Sequence, residues 1–271
     1  MNTEKPLRKA QLHIHTRDDI FDGKYISYSA EEFIDLAGSH QYHFIAITNH
    51  EQTFNQQKLH NLSKRAEKNN IVLIPGVEKK INGKDLLIYF NYEPDPHSFI
   101  SRLRTLKDIM YCKEQDLIKL LIVPHPYFHL HSMGNRMDLI RNHIDAIEHS
   151  WFYTTPHPWI PHWLENFLFN MNRPGQIYAH THNIPLIASG DLHSLDWFDK
   201  DFTLLRCDHS LEGFFNLFKK LRSDITIRQH STQYISLHSQ PLDPSIFSSE
   251  VGRIIKNIMI HMITHPHHLF H

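Results

Sequence analysis

Apolar residues along the chain gather in short β-branched and aliphatic runs separated by stretches with helical spacing. The runs are Gln11–Ile14, His43–Thr48, Ile71–Val77, Leu86–Phe90, Leu120–Val123, Asp145–Glu148, Pro185–Ser189 and Ile225–Arg228. Short apolar runs bounded by polar and turn residues read as strands, and their alternation with helix-length segments is the rhythm of a mostly parallel α/β fold. Ser29, with Glu32 three residues on, makes a capping-box signature ahead of Phe33, Ile34 and Leu36, and Gly38 closes that helix. Further helices are predicted over Gln52–Lys68, Ser98–Met110, Met137–His143, Trp159–Met171 and Leu211–Leu221, with the Pro-rich Thr155–Pro161 as a long loop. The main domain is expected to span 1–228, followed by a C-terminal extension over 229–271. Within that extension Val251, Ile254, Ile255, Ile258 and Met262 share one face of Ser248–Ile263, which predicts an amphipathic helix docked on the domain or on a second subunit of a homo-oligomer.

Composition narrows the class. The chain's 271 residues, 41% hydrophobic and 21% charged, suffice for one large core. Lys+Arg number 28 against 29 Asp+Glu, so there is no basic field to hold a nucleic-acid backbone. The start, Met1 to Gln11, is polar with Lys5, Arg8 and Lys9, and no later run approaches a membrane span; a cytoplasmic protein without a membrane partner is expected. Cys112 and Cys207 alone exclude a disulfide framework and a four-cysteine zinc site. The 25 histidines change the picture, because histidine is the commonest metal ligand and many of these stand at strand ends.

The first strand ends in His13-Ile14-His15-Thr16, and alternation along a strand sends both imidazoles to one side with no backbone distortion. Later runs stop at Thr48-Asn49-His50, Gly76-Val77-Glu78, Pro124-His125-Pro126 and Ser189-Gly190-Asp191-Leu192-His193. An apolar strand that stops at a ligand-type residue is how barrels and open α/β sheets build a site. Imidazole and carboxylate donors suit Zn, Mn or Fe, and a carboxylate such as Glu78 can bridge two ions. Paired ions polarise a phosphoryl oxygen and activate water, so no side-chain nucleophile is needed. None is offered: the chain has no G-x-S-x-G elbow, no Gly-rich phosphate loop with Lys and no G-x-G-x-x-G after the first strand.

In this order the motifs resemble those of the polymerase and histidinol phosphatase (PHP) domain: an HxH strand, a T-D-H, a G-x-E, an H-P and a terminal S-D-x-H, running here from Gln11 to Arg228. The resemblance implies a distorted (β/α)7 barrel with a C-terminal helical tail and a centre of two or three divalent metal ions that hydrolyses phosphoesters. On that basis His13, His15, Glu78 and Asp191 hold one ion, Glu78 bridges to a second held by His125, and His50 and His193 hold a third. A residue in the loop after the first strand completes the third position; Asp22, followed by Gly23, matches best, with Asp18 and Asp19 as substitutes. His50, His193 and Asp191 are the residues expected to act in catalysis, with His193 or His50 near the leaving group.

The chain departs from the family pattern at three places. Gln11 and Asn49 replace aspartates, both at positions expected to orient ligands through hydrogen bonds. Leu87 stands where family members often present an imidazole to the second ion, which leaves that position weakly held, completed by water, or absent. The reading is a phosphatase or phosphodiesterase acting on a small phosphorylated metabolite or nucleotide. The alternatives are a nuclease acting on nucleic-acid ends and a degenerate barrel that binds without catalysis. Glu148 and His149 follow a strand and line the pocket in principle, and Trp151, Phe152, Tyr153, Trp159 and Trp163 offer a substrate wall or plain core. Arg17, Lys24 and Arg206 are the cations available for phosphate, and His265, His267, His268 and His271 read as a solvated tail.

Overall fold

The computed structural model describes residues 5–92, 96–127, 131–149, 172–223 and 234–239. Its strands are β1 (Leu7–Ile14), β2 (Phe44–Ile47), β3 (Val72–Ile81), β4 (Lys84–Tyr89), β5 (Leu120–Val123), β6 (Ala146–His149), β7 (Leu186–Ala188), β8 (Asp201–Arg206) and β9 (Ile235–Ser239). The helices are α1 (Ala30–Ser39), α2 (Gln56–Lys68), α3 (Pro96–Ile100), α4 (Leu106–Glu114), α5 (Asn172–His182) and α6 (Leu211–Ser223). The strands form one sheet in the order β7-β6-β5-β4-β3-β2-β1-β8-β9. The sheet curls until it nearly closes: the Thr203 hydroxyl on β8 accepts from Ala188 N on β7 at 2.9 Å and donates to Ala188 O at 2.8 Å.

Alternate residues of one strand pack in different layers, as in any strand buried on both faces. Phe44 and Ala46 of β2 face an interior cluster with Ala10, Leu12, Ile74, Leu87 and Ile122. Ile45 and Ile47 pack outward against Phe33 and Ile34 of α1 and Leu62 of α2. Phe214 and Phe218 of α6 join the interior cluster, and the Phe44 and Phe214 rings lie 5.3 Å apart. Because Phe44 opens β2, α6 plugs the barrel at the end where its parallel strands start, leaving the strand ends for polar groups. The capping box expected at Ser29 and Glu32 is present and starts α1.

Several expectations are corrected. The sheet is mixed rather than mostly parallel: β1–β2, β2–β3, β5–β6 and β6–β7 run parallel, whereas β1–β8, β3–β4, β4–β5 and β8–β9 run antiparallel. The helix expected over Ser98–Met110 is broken into α3 and α4, because Thr105 starts a new capping box with Asp108. Met137–His143 forms consecutive 3-10 turns, Gly134–Leu139 and Arg141–His143, instead of an α-helix. β8, β9 and α5 have no counterpart among the expected elements. The expected strand Ile225–Arg228, the helix over Trp159–Met171, the aromatic wall, the amphipathic Ser248–Ile263 with its oligomer contact and the terminal histidines all lie outside the described residues. Among the described residues no helix is long and apolar enough to cross a membrane.

Candidate metal centre

At the plugged barrel's open end, backbone pairing sets the ligand-type residues side by side. Ile14 bridges Leu192 in parallel, with His15 N donating to Leu192 O at 3.0 Å and Leu192 N to His13 O at 3.1 Å. The neighbours of a paired residue in each strand share a face, so His13 and His15 meet Asp191 and His193. A second bridge, His50 with Glu78, brings the ends of β2 and β3 into the same place. Tyr28 braces the arrangement by donating its hydroxyl to Leu192 O at 2.9 Å. The expectation of an undistorted HxH strand is corrected: the β1–β2 register shifts between Gln11 and Ile14. That irregularity lets Leu12 stay in the interior cluster while its direct neighbour His13 reaches the site.

His13, His15, Glu78 and Asp191 each place one donor atom within 4.8 Å of the others. His13 Nε2 lies 3.0 Å from His15 Nε2 and 3.0 Å from Glu78 Oε2, and both imidazole Nε2 atoms lie 3.3 Å from Asp191 Oδ1. Ligands about 2.1 Å from a tetrahedral ion stand about 3.4 Å apart, so this cage is near the spacing an ion needs. Asp191 Oδ1 is buried and accepts no well-directed hydrogen bond. A buried carboxylate oxygen without a hydrogen-bond partner beside two imidazole Nε2 atoms is a donor set that fits a divalent ion.

The imidazoles share one orientation. Nδ1 of His13 meets Glu148 Oε1 at 2.8 Å, Nδ1 of His15 and of His50 meet Asp19 Oδ2 at 2.8 and 2.9 Å, and Nδ1 of His193 meets Asp191 O at 2.9 Å. His125 turns Nδ1 towards Ser132 Oγ at 3.4 Å. Every Nε2 then faces a carboxylate: Glu78 for His13, His15, His50 and His125, and Asp22 for His193. Nδ1 bound behind and Nε2 forward is how a protein fixes the tautomer of a metal-ligating histidine. His125 and Asp191 also hold positive φ angles of 27° and 44°, each a conformation that costs roughly 1–3 kcal/mol and is characteristic of functional sites.

The charges are strongly coupled. Burial pulls the His13 imidazole down, but the carboxylates of Asp191, Glu148 and Glu78 outweigh it and push it up to about 10. His125 is likewise pushed up to about 9, with Glu78 overcoming burial. Burial opposes ionisation of Glu78 and Asp191, yet His13 and its neighbours hold both well below the usual carboxylate range. Asp85 goes the other way, raised to about 6 by burial and by the charge of Glu78.

The sequence-derived candidates His13, His15, Asp22, His50, Glu78, His125, Asp191 and His193 all converge here, with Asp22 Oδ2 lying 3.6 Å from His50 Nδ1 and 3.4 Å from His193 Nε2. Of the substitutes in that loop, Asp19 is buried against His15 and His50, whereas Asp18 pairs with Lys58 at 2.8 Å. Glu148 is drawn in, holding His13, accepting from His125 N at 2.8 Å and from the Ser189 hydroxyl at 2.6 Å. Its neighbour His149 turns away to Gln176. Gln11 and Asn49 are corrected from their expected role: Gln11 donates to Asp201 O and Asn49 accepts from Thr16 N, so they brace backbone and not imidazoles. Arg206 is corrected as well, since it pairs with Leu7 at the start of β1, the opposite end of the barrel. Arg17 is engaged with Ser27 O and Glu32, and Lys24 lies over the Tyr25 ring. Asp85, which the strand-end motifs missed, lies with Glu78 and His125 in a further group of close donor atoms.

No protein-family model matches the chain, and no curated protein matches it. Solved structures do. PsfC from Pseudomonas syringae is similar at a TM-score of 0.56 and 12% identity, over 93% of this chain and 99% of that one. Likeness at this identity speaks to the fold, and it spans nearly the whole of both chains. A candidate metal-dependent phosphoesterase from Bifidobacterium adolescentis overlaps at a TM-score of 0.43 and 10% identity, over 70% of this chain and 89% of that one. An amidohydrolase from Chromobacterium violaceum, solved with sulfate and no metal, overlaps at 0.44 and 13%, over 68% of this chain and 87% of that one.

Proposed function

We propose that the protein is a metal-dependent phosphoesterase of the kind the PHP resemblance implies, a phosphatase or phosphodiesterase acting on a small phosphorylated metabolite or nucleotide. The observation that carries the reading is the common polarity of His13, His15, His50, His125 and His193, each with Nδ1 held by the protein and Nε2 turned to a carboxylate. Five such imidazoles around shared carboxylates have no structural purpose that a smaller polar network would not serve. The ordered strand-end motifs supply the phosphoester part of the reading.

Divalent ions in this centre would polarise a phosphoryl oxygen and lower the pKa of water towards neutral. The chain's own groups do the rest. Glu148 and Asp19 keep His13 and His15 in one tautomer, and Glu78 offers its two oxygens to opposite sides, Oε2 to His13 and His15 and Oε1 to His125. His50 and His193 are the more solvent-accessible imidazoles, with side chains 21% exposed, so a substrate arriving from solvent would meet their side of the centre first.

The test is a phosphoester panel that includes nucleotides and short oligonucleotides, run on metal-loaded protein beside a His13→Ala control. Turnover that vanishes in the control is expected; a metal-loaded, folded protein inert across the panel would overturn the assignment.

A further inference from the structure

Leu87 faces Glu78 directly across the β3–β4 ladder and is fully buried in the apolar interior cluster. Nothing on that side chain can bind a cation, yet Glu78 turns Oε1 to this flank and His125 Nε2 meets it at 3.1 Å. The side of Glu78 away from His13 and His15 is therefore furnished with two donors and lacks a third at the register position where one is due.

The third lies two residues earlier on the same strand. Asp85 opposes Lys80, and the two-residue period of a strand puts it on the same face as Leu87, one step nearer the open rim. A diagonal neighbour in an antiparallel pair remains within reach of a side chain as long as glutamate. Accordingly Glu78, Asp85 and His125 each bring one donor atom within 4.8 Å of the other two, and all three residues are buried. Asp85 is only 5% exposed, and its backbone is fixed where Asp85 N donates to His131 O at 2.8 Å. Asp85 starts one step nearer the rim, and from there its short side chain reaches the donors of Glu78 and His125.

We propose that Asp85 replaces the missing imidazole and, with His125 and Glu78 Oε1, holds a second divalent cation beside the one in the His13, His15, Glu78 and Asp191 cage. This rests on the metal-centre reading above and fixes which chain atoms fill its second place. Glu78 would then serve both positions, one carboxylate oxygen to each. Replacing imidazole by carboxylate also hardens the second place: two carboxylates and one imidazole favour Mn2+ over Zn2+ more than a histidine-rich set does.

The experiment uses the full chain, stripped of metal by dialysis and titrated separately with Mn2+ and Zn2+ against a competing chelator. Wild type is expected to take at least two equivalents. Asp85→Asn is expected to weaken one of them by about 100-fold or more while the tightest is retained, since losing a donor costs at least as much as losing a group behind it. Asp85→Asn/Leu87→His is expected to recover that equivalent with its preference shifted towards Zn2+. Leu87→His in the otherwise wild-type chain gives an independent readout that does not need Asp85 altered. It is expected to leave the stoichiometry unchanged, because the place is already complete. A folded Asp85→Asn protein that keeps every equivalent at wild-type affinity, or a Leu87→His protein that gains one, overturns the proposal and leaves the rest of the centre standing. Wild type that binds neither cation overturns the metal centre itself.

Discussion

The two flanks of Glu78 are built on different plans. Towards Oε2, His13 and His15 are each backed by a buried carboxylate, Glu148 and Asp19, so imidazoles and acids alternate in two layers. Towards Oε1, His125 turns Nδ1 to a serine hydroxyl, and Asp85 stands beside Leu87 and the apolar interior. Carboxylates stand behind the imidazoles of the first flank, and a hydroxyl stands behind that of the second. A histidine backed by a carboxylate is fixed in tautomer and more basic, so the first flank should bind the tighter ion and tolerate the loss of its supports least.

That contrast can be broken in several places, taken here from the largest effect to the smallest. His13→Ala removes a donor from the four-donor cage, and phosphoesterase turnover should fall about 10³-fold or more with at least one metal equivalent lost. Glu148→Gln leaves every donor in place but removes the charge behind His13. Metal affinity should drop about 10–100-fold, and the tighter equivalent should suffer more, as chelator competition would show. An equal loss on both flanks would dissolve the distinction between them.

Acidity sharpens it further. In the metal-free protein the surrounding carboxylates outweigh burial and push His13 up to about 10 and His125 up to about 9, so a binding cation must displace their protons. Affinity for Mn2+ or Zn2+ should therefore rise between pH 7 and 9, by about tenfold per pH unit for each proton displaced. The same raised values have a stability sign. Their contribution to the metal-free fold is complete below the unfolded imidazole pKa and is lost as pH climbs through about 9 to 10. Thermal midpoints of the metal-free protein should fall over that range, and those of the loaded protein should not follow. The smallest effect is expected for Arg17→Ala: an exposed pair with Glu32 is worth little, so KM should change by no more than about twofold.

Much of the site was legible because its residues end strands, and strand periodicity is local. His13, His15, His50, Glu78, His125, Asp191 and His193 each follow an apolar run. What escaped depends on pairing between distant segments. Asp85 is the second residue of β4, before the apolar run that marks the strand, and only the β3–β4 register carries it to Glu78. Glu148 lies near the end of β6, yet its partnership with His13 is set by where β6 lies across the barrel from β1. Of the loop acids, Asp22 matches by its neighbour Gly23, and nothing local shows that Asp19 is the one buried between His15 and His50. The fold follows the same division. β8 alternates between buried and half-buried positions along Asp-Phe-Thr-Leu-Leu-Arg, and it joins the sheet by antiparallel pairing with β1, a contact of long sequence separation.

Elemental analysis of the protein purified without chelator from cells supplied with Mn, Fe and Zn bears most directly on the shared centre. Glu78 touches both flanks, so wild type should carry divalent transition metal in stoichiometric amount and a folded Glu78→Gln protein should carry almost none. A folded wild-type chain that emerges without metal, or a Glu78→Gln chain that retains all of it, would contradict the centre described here.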